Sequence, residues 1–223
     1  MARNAMDADG KVISIEEWEL HHKEETPFCM VCEKRMYIKG GSSPGVTTHF
    51  AHFEGSNCPS IEYNREKYDD LKPSELDLEN GKKIQGFLLS NIWAVYQKCK
   101  EIFGKGLTKR DYQDMIRKAS EKKIWYYKGM KEEYIPYVLL VNYGIFKKND
   151  FHKEKTYFVF DANLSSYEDL WIKGGKLKQK IWRVKPDIGE IKDIKISFDI
   201  SGLADHYFLT WATGLDPKNI YNW

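Results

Sequence analysis

The sequence predicts an α+β protein in which a small N-terminal hairpin module precedes helices packed on a mainly antiparallel sheet. Three observations support this prediction. A stretch rich in cysteine and histidine surrounds a glycine-rich turn near the N-terminus, helical periodicity follows it, and short β-like runs fill the rest of the chain. We therefore divide the chain into a module at 1–62, a charged linker at 63–84 and an α+β body at 85–223.

Length and composition indicate a globular protein. The 223 residues suffice for one large domain or two small ones, and 42% of them are hydrophobic, which is enough to bury a core. The net charge of +2 is too small to predict, by itself, binding to nucleic acid or to a membrane surface. No apolar run approaches the roughly 20 residues that a bilayer span needs, so we expect no membrane partner.

The four cysteines are expected in a reducing compartment. The first residues, MARNAMDADGKV, lack the charged start, apolar stretch and cleavage site of a secretory signal, which predicts a cytoplasmic location. In such a compartment, cysteines close to histidines bind metal more often than they form disulfides.

The module begins with a short extended segment and continues into a hairpin. The alternating residues Val12, Ile13 and Ile15 predict a strand, and the charged run EEWELHHKEE after it predicts a polar connection. Further on, the glycine-rich cluster at 40–45 separates two short extended pieces, as in a hairpin turn.

Five residues around this hairpin are candidate metal ligands. Cys29 and Cys32 form a Cys-x2-Cys knuckle, whose two-residue gap lets both thiolates point at one ion. His49, His52 and Cys58 compete for the remaining two places of a tetrahedron. We favour His52 with Cys58, and His49 is the alternative fourth ligand.

The predicted ion is a structural zinc. Structural zinc sites fill all four positions with protein ligands, whereas catalytic sites leave one position to water, and a surplus of candidate ligands favours the closed kind. His21 and His22 lie upstream without a knuckle and are not expected to bind the ion.

The same residues carry a family resemblance. The pattern FCMVC, a glycine-containing turn, THFAHF and a following cysteine resembles the N-terminal zinc-binding region of the competence protein CoiA family, over about residues 27–59. Cys29, Cys32 and His52 match the pattern, with His49 as the first histidine of its HF-x-H signature. Because CoiA proteins act in bacterial transformation and their relatives carry a nuclease-like domain, the resemblance implies a bacterial or phage protein that contacts nucleic acid. A counterpart of that nuclease domain is not recognisable in this chain.

The first half of the body is predicted to be helical. Apolar residues from Gln85 to Phe103 recur at spacings of three and four, which predicts one core helix containing Cys99 as a packed thiol. Thr108 is a plausible N-cap for a second helix over residues 109–123. The linker before them is highly charged and carries Pro73 and Gly81 as helix breakers.

The second half of the body is predicted to form the sheet. Runs rich in branched and aromatic residues predict its strands, namely IWYY, YIPYVLLVNYGIF, KTYFVFDA, KQKIWRV, IKISFDI and HYFLTWA.

One combination in the body approaches the core of a divalent-metal nuclease. Asp161 follows a predicted strand, and Glu190 and Lys192 form an E-x-K tripeptide that could bind magnesium and stabilise a phosphate. Such tripeptides are common by chance in a chain with 35 basic and 33 acidic residues. We therefore favour the interpretation that Glu190 and Lys192 lie on a solvent-exposed strand edge. The protein is expected not to be an enzyme.

Two stretches of the body mix basic and aromatic residues in a way that suits nucleic acid. The side chains offered for phosphate contacts and base stacking are Lys122, Lys123, Trp125, Lys178, Lys180, Trp182 and Arg183. The favoured alternative is that both tryptophans point into the core, while the lysines are exposed to solvent along strand edges.

The sequence thus predicts a non-catalytic, zinc-stabilised binding protein that acts on nucleic acid or on a nucleic-acid-handling partner. The enzyme alternative is a nuclease that uses Asp161, Glu190 and Lys192. A second alternative is a protein-interaction adaptor in phage defence or counter-defence.

Overall fold

A computed structural model describes residues 1–41, 45–66, 75–160 and 180–195, and within them the α+β prediction is confirmed. The N-terminal elements are β1 (Asn4–Met6), β2 (Val12–Ser14), α1 (Ile15–His21), β3 (Met36–Lys39), β4 (His49–His52) and α2 (Glu62–Arg65). Four helices follow: α3 (Leu78–Ser90), α4 (Ile92–Phe103), α5 (Lys109–Glu121) and α6 (Ile135–Tyr143). The remaining strands are β5 (Ile145–Phe146), β6 (Thr156–Phe160), β7 (Ile181–Lys185) and β8 (Glu190–Ile194).

Two antiparallel hairpins build the N-terminal part. β1 pairs with β2, and β3 pairs with β4 with Tyr37 opposite Ala51. The bridge between Ala2 and Phe50 ties the first hairpin to the second. The second hairpin is the one that the glycine-rich cluster predicts.

The charged run after β2 is helix α1 rather than a polar connection. Ile15 and Trp18, three residues apart, are buried on one helical face, and the Ser14 hydroxyl caps the helix by accepting a hydrogen bond from the Glu17 N–H. The Ser14 cap and one buried apolar face therefore stabilise a helix in a segment whose other faces are polar.

The predicted helix from Gln85 to Phe103 is two helices, α3 and α4, which meet at Asn91. The Asn91 backbone N–H and side-chain amide both donate to the Phe87 carbonyl, which ends α3. Helix α3 also begins earlier than predicted, at Leu78, so its first turns occupy the predicted linker. Gly81 is no breaker there, because it packs directly on the Tyr126 ring.

Helix α5 begins where the sequence predicts. The Thr108 hydroxyl accepts from the Asp111 N–H, and the Asp111 carboxylate accepts from the Thr108 N–H, which makes a complete capping box. The helix ends at Glu121, two residues before the predicted end.

Two predicted strands are wrong over most of their length. In the run YIPYVLLVNYGIF, Ile135–Tyr143 form helix α6 and only the last two residues form a strand, β5. The run IWYY contains a 3-10 turn at Ile124–Tyr126. Helix α6 is buried on nearly all sides, so its sequence lacks the polar stripe that would have indicated a helix. Pro136 lies in its first turn, where the missing N–H costs no hydrogen bond.

The described residues of the body form a four-stranded antiparallel sheet of order β5-β6-β7-β8. Strands β6 and β7 confirm the predicted runs KTYFVFDA and KQKIWRV. The predicted strand HYFLTWA lies outside the described residues, as does nearly all of IKISFDI.

The sheet is covered on both faces. Phe158, Phe160 and Ile181 pack into the helical core, while Tyr157 and Trp182, on the opposite face, pack against the N-terminal module. The side of the sheet that meets the module belongs to the same buried cluster as Cys29 and Cys58. Among the helices of the described ranges, none has the length and apolarity needed to cross a membrane.

Candidate metal centre

Four side chains of the N-terminal module converge on one point. The candidate ligand atoms of Cys29, Cys32, His52 and Cys58 all lie within 4.8 Å of one another. The Cys29 and Cys58 Sγ atoms are 3.7 Å apart, and the Cys32 Sγ atom lies 3.5 Å from His52 Nε2. Such a cluster could hold a metal ion.

A tight turn presents the two cysteines of the knuckle. The Glu33 N–H donates to the Cys29 carbonyl, and Glu33 itself adopts a left-handed conformation with φ of 56°. The Val31 N–H lies 3.3 Å from Cys29 Sγ, where it stabilises negative charge on that sulfur. The two-residue spacing therefore supplies backbone support for a thiolate as well as the two ligands.

The strand geometry separates the two histidines of the HFAH signature. Residues three apart on a strand lie on opposite faces, so His49 and His52, at the two ends of β4, point to opposite sides. His52 joins the cysteine cluster, whereas His49 Nδ1 lies 2.8 Å from the Thr47 carbonyl oxygen. The fourth place in the cluster is therefore occupied by Cys58.

Cys58 is held by contacts that the sequence did not reveal. Its Sγ atom lies 3.0 Å from the Ser60 hydroxyl, and its N–H donates to the Ser56 hydroxyl. The Asn64 side-chain amide donates to the Cys58 carbonyl, and the Tyr157 hydroxyl of β6 donates to the Ser60 carbonyl. Ser56 and Ser60, two residues before and after Cys58, are the only sign of these contacts in the sequence, because the Tyr157 contact depends on the tertiary fold.

The packed sulfurs perturb one another's protonation. Hydrogen bonds from the Cys29 and Cys58 thiols lower the pKa of Cys32, and contacts with Cys29 and Cys32 raise the pKa of Cys58. Burial lowers the pKa of His52, but its contacts with Cys29 and Cys32 outweigh burial and raise it to about 9. Like charges this close together repel one another, so a bound cation would favour the thiolate forms.

Two distances within the cluster fit a tetrahedral metal site. Bonds of about 2.3 Å to sulfur and 2.0–2.1 Å to nitrogen place two sulfurs about 3.8 Å apart, and a sulfur and a nitrogen about 3.5 Å apart, around one ion. The distances of 3.7 Å and 3.5 Å agree with these values. Cys29 and Cys58 are buried and the other two ligands half-buried, so four protein atoms enclose the centre.

The residues of the predicted nuclease core do not assemble into a second metal site in the described ranges. Glu190 accepts hydrogen bonds from the Arg183 guanidinium at 2.9 and 3.1 Å, and Lys192 lies exposed opposite Arg183 on β8. Asp161 lies outside the described residues. Among the residues that the structure describes, no other group of three or more metal-ligating side chains converges.

The tryptophans predicted to stack on bases are buried. Trp125 is only 1% exposed and its indole N–H donates to the Ser120 hydroxyl, while Trp182 packs against the N-terminal module. Neither ring can therefore offer a face to a nucleobase in this fold, as the alternative interpretation held.

The predicted cations around these rings occupy several different environments. Arg183 is committed to Glu190 and to the Phe103 carbonyl. Lys123 is exposed, and Lys180 Nζ lies 5.9 Å from the Trp182 ring centroid. Lys122 is half-buried, and Lys178 lies outside the described residues.

The described residues form an α+β protein whose N-terminal module carries a cluster of three cysteines and one histidine that could hold a metal ion. Comparison with known proteins finds no matching family model, no similar curated protein and no similar solved structure.

Proposed function

We propose that this chain is a zinc-stabilised, non-catalytic binding protein that acts on nucleic acid in a reducing, cytoplasmic environment. The observation that carries the proposal is the enclosed cluster of Cys29, Cys32, His52 and Cys58, whose spacing matches a tetrahedral site.

The donor set supports zinc as the ion. Three sulfurs and one imidazole nitrogen form a soft set that calcium and magnesium avoid, and a tetrahedral arrangement of these four donors is typical of structural zinc. A structural ion suits the position of the cluster, because Cys29 and Cys58 are part of the buried cluster that joins the module to the sheet.

The same geometry argues against chemistry at the metal. A catalytic zinc keeps a position open to water or substrate, whereas four protein ligands enclose this centre. The nuclease alternative gains no support from Glu190, because this carboxylate is paired with the Arg183 guanidinium.

Nucleic acid is proposed as the partner because of the CoiA-like pattern of Cys29, Cys32 and His52, which also suggests a bacterial or phage origin. Exposed lysines and arginines in the described residues provide the charge that phosphate contacts need.

Metal analysis tests the zinc site directly. Elemental analysis of purified protein should find about one zinc per chain. Cys58→Ala should lose the zinc, whereas the matched variant His49→Ala should retain it, because only Cys58 belongs to the cluster. Wild-type protein without zinc would refute the site.

Gel-shift titrations with single- and double-stranded DNA and RNA at two salt concentrations test the partner. We expect binding that weakens steeply with salt, because lysine and arginine contacts release counterions. Absence of binding at physiological salt would refute the nucleic-acid partner and favour a protein-interaction adaptor, including one in phage defence or counter-defence. Magnesium-dependent cleavage that is lost in Glu190→Ala would instead establish the nuclease alternative.

A further inference from the structure

The outer face of the β3–β4 hairpin is exposed rather than packed into the core. On β3, Met36 is buried, whereas Tyr37 on the opposite face is exposed. Strand pairing places Ala51 opposite Tyr37 and His49 opposite Lys39 on this outer side. We define the hairpin face by its members Arg35, Tyr37, Lys39, His49, Ala51 and Phe53.

Two aromatic rings lie next to each other on the hairpin face. The Tyr37 and Phe53 ring centroids are 5.1 Å apart, with the ring planes inclined by 45°. Phe53 is 57% exposed and Tyr37 is 37% exposed. Exposed aromatic rings on a sheet surface are the platforms on which single-stranded nucleic acids stack their bases.

Cations flank the two rings. Arg35 and Lys39 lie two residues before and after Tyr37 on the same side of the strand, both exposed, and neither has an ion-pair partner in the described part of the chain. Lys34 adds a third cation. The carboxylates of Glu33 and Glu54 nearby offset part of this positive charge.

A hollow of about 300 Å³ lies beside the Phe53 ring. Its lining consists of Lys34, Arg35, Phe53, Glu54, Gly55 and Ser56. It thus combines an aromatic face with cationic side chains, which is the combination that a base with its attached phosphate requires.

We propose that the hairpin face binds single-stranded nucleic acid, with bases stacked on Tyr37 and Phe53 and phosphates contacting Arg35 and Lys39. The inference rests on the proposed function and identifies the surface that performs it. It also gives a role to His49, the histidine of the HFAH signature that the metal cluster does not use. With Nδ1 donating to the Thr47 carbonyl, its Nε2 atom remains an acceptor on this face.

The metal cluster supports this surface directly. Cys32 lies three residues before Arg35, and His52 immediately precedes Phe53, so both strands of the hairpin face are attached, at its open end, to residues of one cluster. Zinc would therefore fix the spacing of the two rings without contacting the nucleic acid.

The test uses the full chain and labelled DNA and RNA oligonucleotides of one mixed sequence and about 12 nucleotides, within the usual span of one single-strand site. Tyr37→Ala and Phe53→Ala should each raise the Kd about tenfold or more, because each removes one stacking platform. The double variant Arg35→Gln and Lys39→Gln should reduce the slope of log K against log salt by about 1.4, or about 0.7 for each cation removed from a phosphate. The DNA and RNA arms show which nucleic acid is preferred.

The chain offers a matched control in the loop between β5 and β6. Phe151 is 65% exposed there and lies near the exposed residues Lys147 and Lys148, so its chemistry resembles that of the hairpin face. Phe151→Ala and the double variant Lys147→Gln and Lys148→Gln should leave the Kd and the salt slope near their wild-type values. Zinc content and thermal melting should remain unchanged in all variants, which separates the removal of a binding side chain from a failure to fold.

The outcomes distinguish failure of the hairpin face as the binding surface from failure of nucleic-acid binding itself. If wild-type protein binds and the hairpin variants bind equally well, or if the loop variants lose binding instead, the hairpin face is refuted while the proposed function stands. If wild-type protein binds no nucleic acid, both fail, and the exposed aromatic pair would then point to a protein partner.

Discussion

At the scale of single residues, the alternation of side chains along β4 decides which residues form the candidate metal cluster. The sequence leaves His49 and Cys58 as alternatives for the fourth place beside His52. Because His49 and His52 are three residues apart on β4, only one of the two histidines can face the buried side where Cys29 and Cys58 lie. The remaining candidate, Cys58, completes the cluster.

Thiol reactivity should follow burial. Cys99 is fully buried on α4, and burial raises the pKa of its thiol, whereas Cys32 is half-buried and its pKa is lowered by hydrogen bonds from Cys29 and Cys58. Because the thiolate is the reactive form and a bound metal would protect Cys32, iodoacetamide should modify Cys32 first in chelator-treated protein and Cys99 only after unfolding. Peptide mass spectrometry over time measures the order, and early labelling of Cys99 in native protein would contradict it.

The Thr108 cap should have a measurable effect on stability. Its hydroxyl accepts from the Asp111 N–H at the start of α5, so Thr108→Ala should lower the free energy of unfolding by about 1 kcal/mol. Urea denaturation provides the measurement. Thr108→Ser keeps the hydroxyl and should remain close to wild type, and an equal loss in both variants would show that the methyl group matters instead.

At the scale of elements, α3 shows how packing extends a helix into a segment that sequence composition assigns to a linker. Asp77 caps the helix by accepting from the Asn80 N–H, and Gly81 lets the backbone approach the Tyr126 ring. A glycine that looks like a breaker in the sequence is here a point of close contact.

Two glycines of α3 should therefore respond oppositely to alanine. A Cβ atom at Gly81 would lie 2.2 Å from the Tyr126 ring, so Gly81→Ala should lower the free energy of unfolding by about 1–3 kcal/mol. A Cβ atom added at Gly86 would meet no other heavy atom within 4 Å. Gly86→Ala should therefore raise the free energy of unfolding by up to about 1 kcal/mol through helix propensity. Urea denaturation of both variants makes the comparison, and equal effects would refute the packing argument.

At the scale of the whole molecule, the sheet joins the two cores. Its helical side carries Phe158 and Phe160, and its other side carries Tyr157 and Trp182 against the module that holds Cys29. Cys29 and Cys58 of the candidate metal cluster therefore belong to the buried surface that covers this side of the sheet.

Zinc removal should consequently destabilise the whole protein. Chelation should lower the Tm by about 10 °C or more, because loss of ligand binding is loss of folding free energy and the exposed sheet face would lose its cover. Calorimetry with and without chelator tests this. A Tm unchanged by complete zinc removal would show that the hydrophobic core of the module is sufficient to keep the protein folded without the ion.

Features that depend on a few neighbouring residues could be predicted from the sequence. These features are the Cys-x2-Cys knuckle, the glycine-rich hairpin turn, the Thr108 cap, and strands β6 and β7, which are rich in branched and aromatic residues. Long-range packing was needed to establish that α6 is a helix, how far α3 extends, and that Trp125 and Trp182 are buried. An apolar run buries equally well in either conformation, and which face of an element meets the core depends on partners distant in the chain.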